Sequence, residues 1–137
     1  MTDRRTRLAQ LTHEFLDAFN RFDLEAAMEF FSEDGVYEEF NGHRNAGHTE
    51  VRAAFEPQFA GAFGDMKFLD EDLFIDADTG KVMASWLCTL DVHGHPTSWH
   101  GLDLIYWDDD DHVTHKLTYA KAKVPLFDPA VPKGATS

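Results

Sequence analysis

The hydrophobic period of this chain changes once, near Asp65, and that change limits the folds open to it. Before it, Leu8, Leu11, Phe15, Ala18, Phe19 and Phe22 recur at three and four residues, the spacing of one helix face. A second helix is predicted in FDLEAAMEFF, with Asp23 as N-cap and Leu24, Ala27, Met28 and Phe31 as its apolar stripe. SEDG breaks that pattern, and VYEEF is short and extended. Thr49 is placed to cap a third helix, EVRAAFEPQF, which Pro57 should kink or end. After Asp65 come MKFLDEDLFI, KVMASWLCTL, PTSWHGLDLIYW and HVTHKLTYAKA, separated by DADTG, DVHGH and DDDD. Those separators read as hairpin connections. Three helices followed by a four-strand antiparallel meander predict an α+β domain.

No repeat or linker divides the chain, so one domain is expected over residues 1–122. An irregular tail, with Pro125, Pro129 and Pro132, is expected over 123–137. Twenty-five acidic against twelve basic side chains give a net charge of −13. That field opposes binding to nucleic acid or to an anionic membrane. The single cysteine, Cys88, cannot form an internal disulfide and reads as a buried, inert thiol in a reducing compartment. No apolar segment follows the basic N-terminus, and none approaches a membrane span. A cytoplasmic protein is expected.

The strand SWHGLDLIYW raises the functional question, because Asp103 stands where a strand interior expects Val or Ile. A carboxylate there must be paired, hydrogen-bonded or wet. Alternation puts Trp99, Gly101, Asp103, Ile105 and Trp107 on one face, and Ser98, His100, Leu102, Leu104 and Tyr106 on the other. Helices can cover only one face of the sheet. The other, carrying Leu102, Leu104 and Tyr106, calls for a second copy of the chain, so a homodimer is expected.

The order of elements, and the stretches FLDAFNRFDLEAAMEFFSEDGVYEEFNG, GHTEVRAAFEPQF and WHGLDLIYW…HVTHKLTYA, resemble the nuclear transport factor two-like superfamily. Within it they are most similar to SnoaL-like polyketide cyclases and their ketosteroid isomerase relatives. The resemblance spans roughly Leu11 to Lys121. It implies a strongly bent antiparallel sheet around three helices, a cystatin-like cone with an apolar pocket at its open end, and dimers through the outer face. It also implies that Asp103 holds the pocket aspartate position and Glu39 the carboxylate base position. Phe15 stands where the isomerases carry an oxyanion-donating tyrosine, and Phe has no donor. A standard ketosteroid isomerase is therefore not expected. Glu56 stands at the place of a supporting tyrosine, and Tyr119 matches an aromatic near the end of the last strand. The arginine-and-aspartate strand pattern of the epoxide hydrolases is not evident.

Asp103 is thus the first candidate for acid–base chemistry, since an apolar wall raises a carboxyl pKa toward neutral. Its plain alternative is a polar group bonded to a neighbouring strand, and Asn at 103 is expected to leave the fold intact. Glu39 is the second candidate; otherwise it is simply exposed. Phe15, Tyr37, Phe55, Phe59, Trp86, Trp99 and Tyr119 are candidate substrate-binding walls, though core packing accounts for each as well. His93 and His95 beside a turn supply too few ligands for a catalytic metal, and DDDD (Asp108–Asp111) reads as a solvated turn. No cofactor motif appears, so neither metal nor cofactor is expected. The expected function is a pocket for an apolar small molecule. Catalysis there would be cofactor-free isomerisation, cyclisation or dehydration of a carbonyl compound. The alternatives are a carrier without turnover and an accessory dimerisation domain.

Overall fold

A computed structural model of the chain describes residues 3–121. The first helix, α1 (Arg4–Asn20), starts at Asp3, whose side chain accepts from the Thr6 amide, and buries Leu8, Leu11, Phe15 and Phe19 on one stripe. Phe22, expected to extend that stripe, has a φ of 57° and forms the turn into the next helix. Asn20 fastens the end of α1 to the sheet. Its amide donates to the Phe68 carbonyl and accepts from the Phe68 N–H, at 2.9 and 2.7 Å. Helix α2 (Leu24–Phe30) is capped by Asp23 as expected, with the Ala26 amide donating to its side chain.

Strand β1 (Phe31–Glu38) follows without a loop. SEDG lies inside it as an irregularity between Phe31 and Val36, not as a break. Gly35 allows this, because a Cβ there would lie 3.0 Å from the Phe31 ring, the Ser32 carbonyl and the Val113 carbonyl. Strand β2 (Arg44–Ala46) pairs back onto β1. Helix α3 (His48–Phe59) starts from Gly47 at a φ of 87°, with no side-chain cap; Thr49 lies within the helix instead. Pro57 does not stop it at once, because the carbonyl it leaves unbonded belongs to exposed Ala53. The helix ends two residues later.

The long strands are β3 (Lys67–Asp76), β4 (Lys81–Val92), β5 (His95–Trp107) and β6 (Val113–Lys121). They form the expected antiparallel meander. The sheet has six strands in the order β2-β1-β6-β5-β4-β3, and β1 runs parallel to β6. The fold is α+β, with the three helices packed on one face of this mixed, open sheet. Val82, Ala84, Trp86, Cys88 and Leu90 of β4 and Asp103, Ile105 and Trp107 of β5 face the helices. The DDDD turn is less solvated than expected: Asp111 accepts from Arg4 at 2.6 Å and from Arg7 at 3.2 Å, docking the start of α1. The irregular tail expected over 123–137 lies outside the described residues. No described helix is long and apolar enough to cross a membrane.

Candidate functional site

Packing divides the helix-covered face in two. Phe15, Phe19, Phe31, Phe55, Ile105 and Trp107 belong to one buried cluster; Trp86, Cys88 and Leu90 belong to another, flanked by Met66, Phe68 and Trp99. A cavity of about 330 Å³ opens beside the second cluster, at the small end of the range for ligand pockets. Tyr37, Glu39, Trp86 and Trp99, all singled out from sequence, line it together with Gln58, Lys116 and Thr118.

Asp103 lies beneath this lining, 1% exposed, and the expected apolar surround is absent. Thr118 stands directly opposite it on β6, and Trp86 reaches it diagonally from β4. One carboxylate oxygen accepts from the Lys116 ammonium at 3.0 Å and the Thr118 hydroxyl at 2.5 Å; the other accepts from the Trp86 indole N–H at 3.0 Å. Gly101 makes the indole's place. A Cβ at Gly101 would sit 2.5 Å from the Trp86 ring. With three donors bound, Asp103 works through its neighbours and has no open path to a ligand.

Lys116 is the group that reading the sequence missed. Its side chain is 7% exposed, and its ammonium lies 4.7 Å from the centre of the Tyr37 ring and 5.2 Å from that of Phe19. Two of its three N–H groups go to Asp103 and Thr118, which leaves one for a bound molecule. A signal was present: a carboxylate amid apolar residues calls for a cation, and the strand hairpinned to Asp103 offers Lys116 on the same face as Thr118.

Glu39 lies one strand over on the same sheet wall, just past the end of β1, where Tyr37 pairs beside Lys116 of β6. The buried Asn45 amide donates to the Tyr37 carbonyl at 3.1 Å and to a Glu39 oxygen at 3.0 Å, so the β1–β2 hairpin holds the carboxylate in place. The Tyr37 phenol is pushed above its ordinary pKa, first by burial and then by the charges of Asp103 and Glu39, while a hydrogen bond with Thr118 acts the other way. It therefore stays protonated and can donate. Burial, then the Asp103 charge, pushes the Cys88 thiol up to about 12, which suits an inert side chain.

The remaining candidates lie elsewhere. Phe15 is fully buried between α1 and the sheet, edge-on to Phe19, Phe31 and Trp107. Phe55 stacks under Tyr37 at 4.4 Å and supports the wall from behind. Phe59 packs on Phe19 and Phe55 without joining the lining. Tyr119 is corrected outright: alternation sends it to the outer face, 51% exposed, because Thr118 faces in. Glu56 is exposed on α3. Among the described residues, no three His, Cys, Asp or Glu side chains gather in a group suited to a metal ion.

An α+β cone with a pocket at its open end is the architecture the resemblance implied, and residues 12–115 match the model of the SnoaL-like domain. The chain belongs to the SnoaL-like domain family. Solved structures agree on the fold of this SnoaL-like protein. A polyketide cyclase candidate from Xanthomonas campestris matches at 20% identity and TM-score 0.77, over 85% of this chain and 92% of its own. PrhC from Penicillium brasilianum matches at 21% and 0.76, over 87% and 83%. An LEH-like epoxide hydrolase from M. tuberculosis matches at 17% and 0.76, over 88% and 83%. No curated protein matches the sequence.

Proposed function

We propose that this SnoaL-like domain binds a small apolar carbonyl compound and moves a proton on it without a cofactor. The supporting observation is the pairing of two kinds of group in one largely apolar cavity: a carboxylate, Glu39, and a cation, Lys116, with an N–H to spare. Glu39 would take a proton from the carbon beside the carbonyl. The electron pair left behind moves onto the carbonyl oxygen, where Lys116 and Tyr37 are the available donors. Return of the proton at another carbon completes an isomerisation. Attack of the enolate carbon on a second carbonyl closes a ring as an alkoxide, which takes up the proton held by Glu39; removal of a further α-proton by Glu39 expels the hydroxyl as hydroxide, which leaves with that proton as water and completes dehydration. Asp103 orients Lys116. This differs from the sequence-based assignment, in which Asp103 itself exchanges the proton.

The test is Glu39→Gln, which keeps the shape and the acceptor toward Asn45. Turnover of a ketone found by screening should fall about a hundredfold or more, with affinity nearly unchanged. Equal turnover in the variant would remove Glu39 from the mechanism. A carrier is the second reading, favoured by one observation: Asp103, Lys116 and Thr118 satisfy one another without a ligand. It expects no turnover in either protein.

The reading goes with a cytoplasmic homodimer. The outer face, with half-buried Leu102, Leu104 and Tyr106 and exposed Phe74, is the surface offered to the second copy. Light scattering at micromolar concentration should give twice the chain mass, and Leu104→Asp should return it to one. A monomeric parent protein counts against the dimer.

A further inference from the structure

We propose that the mouth of the cavity is a second subsite, which holds a flat apolar ring of the ligand whose carbonyl end lies at Lys116. The proposal rests on the cavity being the ligand site argued above. Two turns carry it. Glu39–Gly42 is closed by the Gly42 N–H donating to the Glu39 carbonyl at 2.8 Å, and Phe40 is its second residue. Gly61–Gly64 is closed by the Gly64 N–H donating to the Gly61 carbonyl at 3.0 Å, and Phe63 is its third residue. Central turn positions favour Gly, Pro, Asn, Asp or Ser, so a Phe there asks for a reason. Neither ring enters the core: Phe40 and Phe63 are 49% and 39% exposed, and both line the cavity together with Trp99. The β1–β2 turn, the link after α3 and strand β5 thus each bring an aromatic ring to one opening. Large apolar side chains gathered in this way mark a binding surface.

The backbones that carry these rings are anchored. The Phe63 carbonyl accepts from the Asp91 N–H at 3.1 Å. Gly64 packs so closely on β4 that a Cβ there would lie 2.6 Å from the Asp91 carbonyl oxygen. On the other turn, the Glu39 N–H donates to the His43 carbonyl at 2.8 Å. Side chains presented from fixed backbone cost less order on binding than side chains on a loose loop. The rings also leave room for a partner. Phe40 and Trp99 lie 6.3 Å apart with their planes tilted by 37°, neither stacked nor edge-on, the two arrangements that aromatic pairs favour. A ligand ring can make with them the contact that they do not make with each other.

Calorimetry with 4-phenylcyclohexanone, 4-benzylcyclohexanone, 4-cyclohexylcyclohexanone and 4-(dimethylamino)cyclohexanone, a cation at neutral pH, tests this. Transfer out of water by itself favours the cyclohexyl ketone, which is the more apolar partner of the phenyl one. A flat-ring subsite reverses that order. The better of the two aryl ketones should bind the parent protein at least about threefold tighter than the cyclohexyl ketone. Phe40→Leu combined with Phe63→Leu keeps the mouth apolar and removes its two turn-borne rings, so the preference should vanish. If the double variant does not fold, each single variant should lose part of it. A preference that is absent from the parent, or that survives without the rings, overturns the ring subsite. Tighter binding by the amine than by both aryl ketones overturns the ring as the class of group held there. In both cases ketone binding leaves the cavity standing as the ligand site. No binding by any compound of the set overturns the site and this inference together.

Discussion

Trp99 and Trp107 lie on the same face of the same strand and have opposite fates. Trp107 is 4% exposed, edge-on to Phe15 and Phe30, and its indole N–H donates to Thr12 of α1 at 3.1 Å. Trp99 is only partly buried, with Phe40 tilted against it at 6.3 Å and the cavity beside it. The strand treats both alike; the difference is the cover. Helices α1 and α2 close the sheet over Trp107, while no described helix closes over Trp99. Asp103 sits midway between them, where dry packing gives way to a cavity. A charged layer is tolerable at that boundary because its donors come from the two neighbouring strands, β4 and β6, and one of them, Lys116, also faces the opening.

If cover decides, the two tryptophans should respond very differently to truncation. Trp107→Ala should destabilise the fold by about 3–5 kcal/mol, the scale for a buried aromatic. Trp99→Ala should cost under about 1 kcal/mol, as for a partly exposed site, and should weaken ligand binding instead. Urea denaturation measures both. Equal losses would mean that the open end is packed like the closed one.

The boundary layer can be broken next. Lys116→Met leaves the Asp103 charge buried without its cation and should cost about 3–4 kcal/mol. Asp103→Asn strands the Lys116 ammonium in the same way. The sequence alone suggested that this change is harmless; the ion pair reverses that expectation, and a loss of about 2–4 kcal/mol is expected. The double variant, Asp103→Asn with Lys116→Met, should lose clearly less than the sum of the two. Additive losses would show that the charges do not depend on each other.

What was legible in the sequence follows from how far apart the relevant residues are. Helical and strand periods, the Asp23 cap and the hairpins are local, and they could be read directly. The parallel pairing of β1 with β6 joins residues about eighty positions apart, and nothing in either strand announces it. SEDG has the chemistry of a turn, which also suits an irregular strand with Gly35 at its close contact. In the site, Tyr37, Glu39, Trp86 and Trp99 could be placed by alternation and resemblance. Lys116 was hidden because its inward face on β6, with Thr114, Thr118 and Ala120, reads as a solvated face.

The smallest effect separates the two sides of the sheet at adjacent residues. Lys116 faces the cavity and is paired with Asp103; His115 faces outward, against Tyr106 at 5.2 Å. Burial, followed by the positive charge of Arg44, lowers the His115 pKa below the ordinary value of 6.5; Asp34 opposes this and Lys81 adds to it. The unfolded chain therefore binds this proton at a higher pH than the folded one. The associated stability is fully present above about pH 6.5 and is lost as pH falls through the lower, folded-state value. His115→Gln should flatten that slope, measured by urea denaturation between about pH 7 and 5. The paired carboxylate of Asp111, held below its ordinary value chiefly by Arg4, contributes only at more acidic pH and leaves this window clear. If a second copy covers the outer face, burial of His115 deepens and the slope should steepen with protein concentration. A slope that survives in His115→Gln would assign the proton to another group and remove this distinction between the two faces.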